Sequence, residues 1–187
     1  MNVKTLPNGW FSAGDVSVYR SLYSMLPKGS LSVELGVYRG RSICSVADLI
    51  VNKRIKVIAV DTFLGTKHTD PKIYAKYYKE DFEKAFRKNL VRYGIYKSVK
   101  IHRLKTDDAS KLYPKIEQFD MVFIDADHTY SSVRNDIFLW LPKVKKGGII
   151  AGHDFSTQFS GVKRAVMELI GNPVLTKKSS VWYAVKD

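Results

Sequence analysis

The stretch Leu31-Ser-Val-Glu-Leu-Gly-Val-Tyr-Arg-Gly-Arg-Ser42 decides the fold. An apolar run carries an acid, Glu34, and ends at Gly36; a second glycine, Gly40, follows, and an amphipathic pattern begins at Arg41. That order reads as strand, tight turn, helix. Glycine lets backbone come close to a ligand, and a helix N-terminus offers free N–H groups. Twenty-five residues after Gly36, a second apolar run, Val57-Ile-Ala-Val60, ends in Asp61. An acid at the tip of a second strand is placed to hold a ribose. Together the two features predict a site for a cofactor that contains a nucleoside.

Working outward, strands are expected at about 31–35, 56–60, 98–104, 119–124 and 148–151. Helices are expected at about 15–25, 41–51, 73–92, 130–141 and 161–170, with apolar residues at helical spacing, and a short one at about 108–116, whose end Pro114 weakens. Asp15 is the expected cap of the first helix, whose apolar face is Val18, Leu22 and Met25. The segments 173–176 and 181–185 read as a terminal strand pair. Alternating strands and helices imply an α/β fold: a doubly wound, mostly parallel sheet with helices on both faces. The chain divides into an N-terminal arm and helix (1–28), a core (30–170) and a C-terminal hairpin (173–187) of one domain. In the arm, Trp10 and Phe11 are either a swapped contact or a local cover over the core. In such sheets ligands bind beyond the carboxyl ends of the strands. Those ends carry Glu34 and Gly36, Asp61, Thr106 to Asp108, Asp125 to His128, and His153-Asp154.

The chain has 187 residues, 45% hydrophobic and 26% charged, as a water-soluble globular domain has. No apolar run approaches the ~20 residues that span a bilayer, and the N-terminus lacks a signal-peptide pattern. A lone cysteine, Cys44, rules out an intrachain disulfide and fits a reducing cytoplasm. The net charge of +13 attracts polyanions or acidic substrates, but the lysines are spread out. The exception is Lys72 to Arg92, which joins cations to Tyr74, Tyr77, Tyr78, Phe82 and Phe86.

A dinucleotide site normally shows Gly-x-Gly-x-x-Gly. This chain has Gly36-x-x-x-Gly40, with Glu34 just before the turn. An acid there repels a pyrophosphate and favours a cationic cofactor. S-adenosylmethionine, with a sulfonium, an ammonium and no phosphate, suits it better than NAD.

Glu34-Leu-Gly-x-x-x-Gly40-x-Ser42, Asp61, Phe119-Asp-x-Val-Phe-Ile-Asp125-Ala-Asp-His128 and Gly147-Gly-Ile-Ile-Ala-Gly-His-Asp154 resemble class I S-adenosylmethionine-dependent methyltransferases. The similarity is greatest to small-molecule O-methyltransferases of the macrocin and cephalosporin biosynthesis type, over about residues 30–170. The resemblance implies a seventh, antiparallel strand from the C-terminal hairpin. It implies that Glu34 and Gly36 line the methionine end of the cofactor and that Gly40 and Ser42 donate to its carboxylate. Asp61 would accept from the ribose hydroxyls with Thr62 beside it, and Asp107 would meet the adenine. In metal-dependent members, the acid ending strand four and two residues after strand five bind magnesium; the matching positions are Asp125, His153 and Asp154. His153 departs from the family, which carries an acid or amide there, and a histidine suits manganese, iron or zinc better.

Asp125, Asp127, His128, His153 and Asp154 fall at adjacent strand ends. The expected chemistry has Asp125 and Asp154 hold a divalent ion, Mg2+ or another, on which a substrate hydroxyl loses its proton to His128 as general base. Asp127 is expected to orient a histidine. The alternative for His128 is a cap of the helix at 130–141, with Asp127 and Thr129 competing for that place. The acceptor implied is a small molecule, a sugar or an acidic compound, with the basic segment from Lys67 to Arg92 as a lid. RNA as acceptor, favoured by the charge, and a non-catalytic binding domain remain the competing readings; the oligomeric state is not readable.

Overall fold

The computed structural model describes residues 5–65 and 80–187. In chain order the elements are α1 (Ala13–Met25), β1 (Leu31–Leu35), α2 (Arg41–Ser45), α3 (Ala47–Lys53), β2 (Lys56–Val60), α4 (Phe82–Arg92), β3 (Val99–His102), α5 (Thr106–Lys111), β4 (Phe119–Ile124), α6 (Tyr130–Trp140), β5 (Val144–Gly152), α7 (Ser160–Leu169), β6 (Val174–Leu175) and β7 (Trp182–Val185). The strands form one sheet in the order β3-β2-β1-β4-β5-β7-β6. β1 to β5 run parallel, and β7 runs antiparallel to both its neighbours, β5 and β6. The expected doubly wound sheet, with its antiparallel strand from the C-terminal hairpin, is present.

Two apolar layers cover the sheet. On one face Tyr19, Leu22, Ile43, Ile50, Phe86 and Phe123 pack together; on the other Leu35, Val122, Ile137, Trp140, Val162 and Val166 do so. Strand alternation assigns the sides: Val33 and Leu35 point into the second layer, while Ser32 and Glu34 face α1. Buried polar groups need partners, and α1 supplies them as tyrosines. The Tyr23 hydroxyl lies 3.0 Å from Ser32 Oγ, and the Tyr19 hydroxyl donates to Glu34. The buried face of α1 is therefore Asp15, Tyr19, Leu22 and Tyr23, not Val18-Leu22-Met25; Met25 is exposed. Ser12, not Asp15, caps α1: its hydroxyl accepts from the Asp15 amide, and Asp15 returns the bond from the third position of a capping box.

Two further expectations are corrected. The helix at 41–51 is broken at Val46 into α2 and α3. Ser45 Oγ donates back to the Ser42 carbonyl at 2.6 Å, a bond that bends helices, and the Ser45 carbonyl is taken by Arg20. Of the helix expected at 73–92, the described part runs from Phe82 to Arg92, with residues 80 and 81 outside it and Asp81 capping it by accepting from the Lys84 amide at 2.9 Å. Residues 66–79, with Lys67, His68, Lys72, Tyr74, Lys76, Tyr77, Tyr78 and Lys79, lie outside the described residues, and with them the first half of the expected lid. Phe11 resolves the question of the arm. It is buried and packs on Tyr19, Phe123 and His153, a local cover, whereas Trp10 is exposed.

Candidate active site

The carboxyl ends of β1, β2, β4 and β5 meet at one edge of the sheet, since Leu35 pairs with Val60 and Ile124, and Ile124 with Gly152. Gly36 turns the chain there with φ +81°; a Cβ on it would stand 2.1 Å from the Asp125 carbonyl, so only glycine lets the two strand ends touch. Gly40 opens α2 with φ +79°, and a Cβ would strike the Phe86 ring at 2.7 Å. Asp61 pins this turn from β2. Its Oδ2 accepts from the amides of Val37 and Tyr38, each at 2.8 Å, and its Oδ1 from Phe63 at 2.7 Å. A carboxylate offers about four lone-pair positions, so one remains for a further donor. Thr62 Oγ1 accepts from the Leu64 amide at 3.3 Å. Asp107 sits in the first turn of α5, half-buried, and accepts from the Asp108 amide at 2.9 Å. A recess of about 220 Å³ lined by Phe63, Leu64, Glu80, Asp81, Phe82 and Arg103 opens beyond β2 and β3.

Glu34 and Ser42 lie beneath the turn. Glu34 is 0% exposed, and its carboxyl oxygens accept from Tyr19 and Ser42. Burial, opposed by the Ser42 and Tyr19 hydrogen bonds, pushes the Glu34 carboxyl up to about 8. Glu34 is thus mostly uncharged at neutral pH and presents no atom to the cleft in this conformation. The sequence-level repulsion of a pyrophosphate has no basis here; Glu34 anchors the first turn of α2 to β1.

The second half of the edge is a cluster. Asp125 follows β4, and its amide donates to the Leu35 carbonyl at 2.7 Å. His128 Nε2 lies 2.8 Å from Asp154 Oδ2. His153 Nδ1 lies 3.2 Å from Asp154 Oδ2 and 3.6 Å from Asp125 Oδ1. Thr129, not His128, caps α6 by accepting from the Ser132 amide, which leaves His128 for other work. Among the described residues Asp127 orients no histidine: it accepts from the Thr129 amide at 2.8 Å, and it is Asp154 that lies against His128. The His128 ring lies 4.5 Å from that of Phe159, and Gly161 lets α7 approach the His128 carbonyl. Asp154 sits at φ +61°, a left-handed conformation that costs a non-glycine residue energy and clusters at functional sites.

Charges follow from this packing. For His128 and His153, burial alone would lower the pKa, but the carboxylates override it. Asp154 raises His128, and Asp125, Asp15 and Asp154 push His153 up to about 12. Burial raises Asp125. Asp154 is pulled well below the ordinary carboxylate range, because His128 and His153 outweigh its burial. The ligand atoms of Asp125, His128 and Asp154 lie within 4.8 Å of one another. Carboxylate oxygens gathered with imidazole nitrogens fit a divalent cation, and the nitrogen content suits manganese, iron or zinc better than magnesium. The structure thus brings His128 as well as His153 to the two acids; sequence reading had given His153 alone as the nitrogen donor. Sequence reading missed Asp15, Ser180 and Tyr19 in this region, and no local signal marks a contact 138 residues apart such as that of Asp15 with His153.

A profile of a methyltransferase domain family matches residues 33–155. The chain belongs to that family, and its sheet order is that of a class I S-adenosylmethionine-dependent methyltransferase fold. An uncharacterized protein of Acanthamoeba polyphaga mimivirus is 29% identical over 143 residues, 74% of this chain and 58% of that protein. The chain therefore spans a little over half the length of that curated relative. Among solved structures, the O-methyltransferase NovP superposes with a TM-score of 0.71 at 19% identity, covering 91% of this chain and 78% of that one. TomG, an O-methyltransferase from Streptomyces achromogenes in complex with S-adenosylmethionine, gives 0.66 at 14% identity, covering 94% and 81%. CalS11, a TDP-rhamnose 3'-O-methyltransferase of calicheamicin biosynthesis, gives 0.62 at 15% identity, covering 94% and 81%. At these identities the likeness concerns the fold.

Proposed function

We propose that this chain transfers the methyl group of S-adenosylmethionine to a hydroxyl oxygen of a small molecule. The observation that carries the reading is the shared edge: the Gly36–Gly40 turn pinned by Asp61 adjoins the Asp125–His128–His153–Asp154 cluster. Gly36, Gly40, Asp61, Thr62 and Asp107 remain the residues proposed to hold the cofactor, while Ser42, expected to donate its hydroxyl to the cofactor, spends it on Glu34, and the two support the turn from below. When bound, S-adenosylmethionine supplies a sulfonium-activated methyl group, whose S–CH3 bond breaks as the O–CH3 bond forms. A divalent ion held by Asp125, His153 and Asp154 would supply the Lewis acidity that eases loss of the hydroxyl proton. His128 accepts that proton. Its side chain is 33% exposed, open enough to meet an acceptor. Asp154 holds Nε2–H, leaves Nδ1 as the basic nitrogen and stabilises the imidazolium that results.

A sugar hydroxyl is the proposed acceptor, in keeping with the sugar named for CalS11. The +13 charge favours RNA as a second reading; a labelled RNA retained at moderate salt would support it. His128→Ala is expected to lower turnover about 10²- to 10⁴-fold with the affinity for S-adenosylhomocysteine unchanged. Turnover that survives this substitution removes the base assignment. Asp125→Ala and EDTA are expected to act alike, and EDTA-insensitive activity removes the ion.

A further inference from the structure

Asp15 belongs to α1, far in sequence from the cluster, yet it is 3% exposed and reaches it. Its Oδ1 accepts from Ser179 Oγ at 2.8 Å and from the Ser180 amide at 3.0 Å. Its Oδ2 accepts from the Ser12 amide at 2.8 Å and lies 3.2 Å from His153 Nε2. Ser180 Oγ lies 2.9 Å from the same nitrogen. A carboxylate tied to so many donors does not rotate. The His153 ring is 7% exposed and packs 5.1 Å from Phe11, so it does not flip either. The Asp15 carboxylate 3.2 Å from Nε2, beside Ser180 Oγ at 2.9 Å, favours a hydrogen on that nitrogen, and Nδ1 is turned towards Asp125 and Asp154. A carboxylate that holds the far N–H of a histidine fixes its tautomer and raises its strength as a ligand.

We propose that Asp15 is a positioning residue of the reaction centre: it presents His153 Nδ1 as the nitrogen donor beside Asp125 and Asp154, and so biases the site towards manganese- or zinc-like ions over magnesium. This rests on the metal-assisted reading above.

The test uses the whole chain with S-adenosylhomocysteine present and follows free Mn2+ by its paramagnetic resonance signal, with Mg2+ as competitor. The unsubstituted protein is expected to hold Mn2+ at least 10-fold more tightly than Mg2+. Asp15→Asn keeps a hydrogen-bonding side chain and is expected to weaken Mn2+ binding about 10- to 100-fold while still binding S-adenosylhomocysteine. His153→Asp, which puts an oxygen in place of the nitrogen that Asp15 positions, is expected to narrow the preference for Mn2+; it decides the matter if Asp15→Asn fails to fold. Equal Mn2+ affinity in a folded Asp15→Asn variant, an unchanged preference in His153→Asp, or no Mn2+ binding by a protein that binds S-adenosylhomocysteine would each overturn the proposal. Failure of the unsubstituted protein to bind S-adenosylhomocysteine would instead overturn the methyl-transfer reading beneath it.

Discussion

At the scale of single residues, Glu34 shows how position changes chemistry. In the sequence it is an acid beside a ligand turn; in the fold it is an enclosed carboxyl that Tyr19 and Ser42 satisfy. An unfolded carboxyl of this kind gives up its proton near 4.5, while the folded one keeps it to about 8. The folded state then holds the extra proton between those values, and stability falls as pH rises through that window. Glu34→Gln removes this dependence: its unfolding midpoint, followed by denaturant titration, should gain on the unsubstituted protein from about pH 4.5 to about pH 8 and level off above. A gap that does not change with pH would refute the raised carboxyl. Gly36→Ala is a harsher change, since the Asp125 carbonyl occupies the place of the new methyl and φ is positive. A loss on the order of 3 kcal/mol is expected from the same titration. The roles of Gly36 and Asp61 in shaping the turn were legible in spacing alone. Burial of Glu34 was not, because nothing in its neighbours announces which face of β1 meets a helix bearing tyrosines.

At the scale of elements, the strands were the most legible part. β1, β2 and β4 match their expected spans, because each is a short apolar run bounded by turn residues. The helices were legible in existence and less so in extent. Long-range contacts set their breaks: Arg20 of α1 takes the Ser45 carbonyl and pairs with Asp48 across two helices. Periodicity in 41–51 carries no trace of that. The start of α4 depends on a cap, and an acid inside a run of aromatic and basic residues did not stand out as one. Asp81→Ala should therefore lower stability by about 1 kcal/mol in thermal or denaturant unfolding. An unchanged midpoint would mean that the Asp81 carboxylate does not hold the α4 terminus. The face of α1 was misread for a related reason. Tyrosine reads as amphipathic, and only a polar strand face beneath it turns Tyr19 and Tyr23 inward.

At the scale of the whole molecule, the order β3-β2-β1-β4-β5-β7-β6 explains why residues spread from 34 to 154 converge. The chain reverses direction of winding beside β1, so the turn after β1 and the acids after β4 and β5 share one crevice. That convergence was foreseeable once alternation implied a parallel sheet. The anchoring of the same crevice by the first helix and the last hairpin was not, since Asp15, His153 and Ser180 meet only in three dimensions. Among the described residues no helix is long and apolar enough to cross a membrane. The central claim is that this edge holds S-adenosylmethionine, and calorimetric titration of S-adenosylhomocysteine tests it most directly. Saturable binding in the micromolar range, weakened by Asp61→Ala, is the predicted result. No heat of binding at high micromolar protein would contradict the claim and take from Asp61 and the Gly36–Gly40 turn the roles assigned to them.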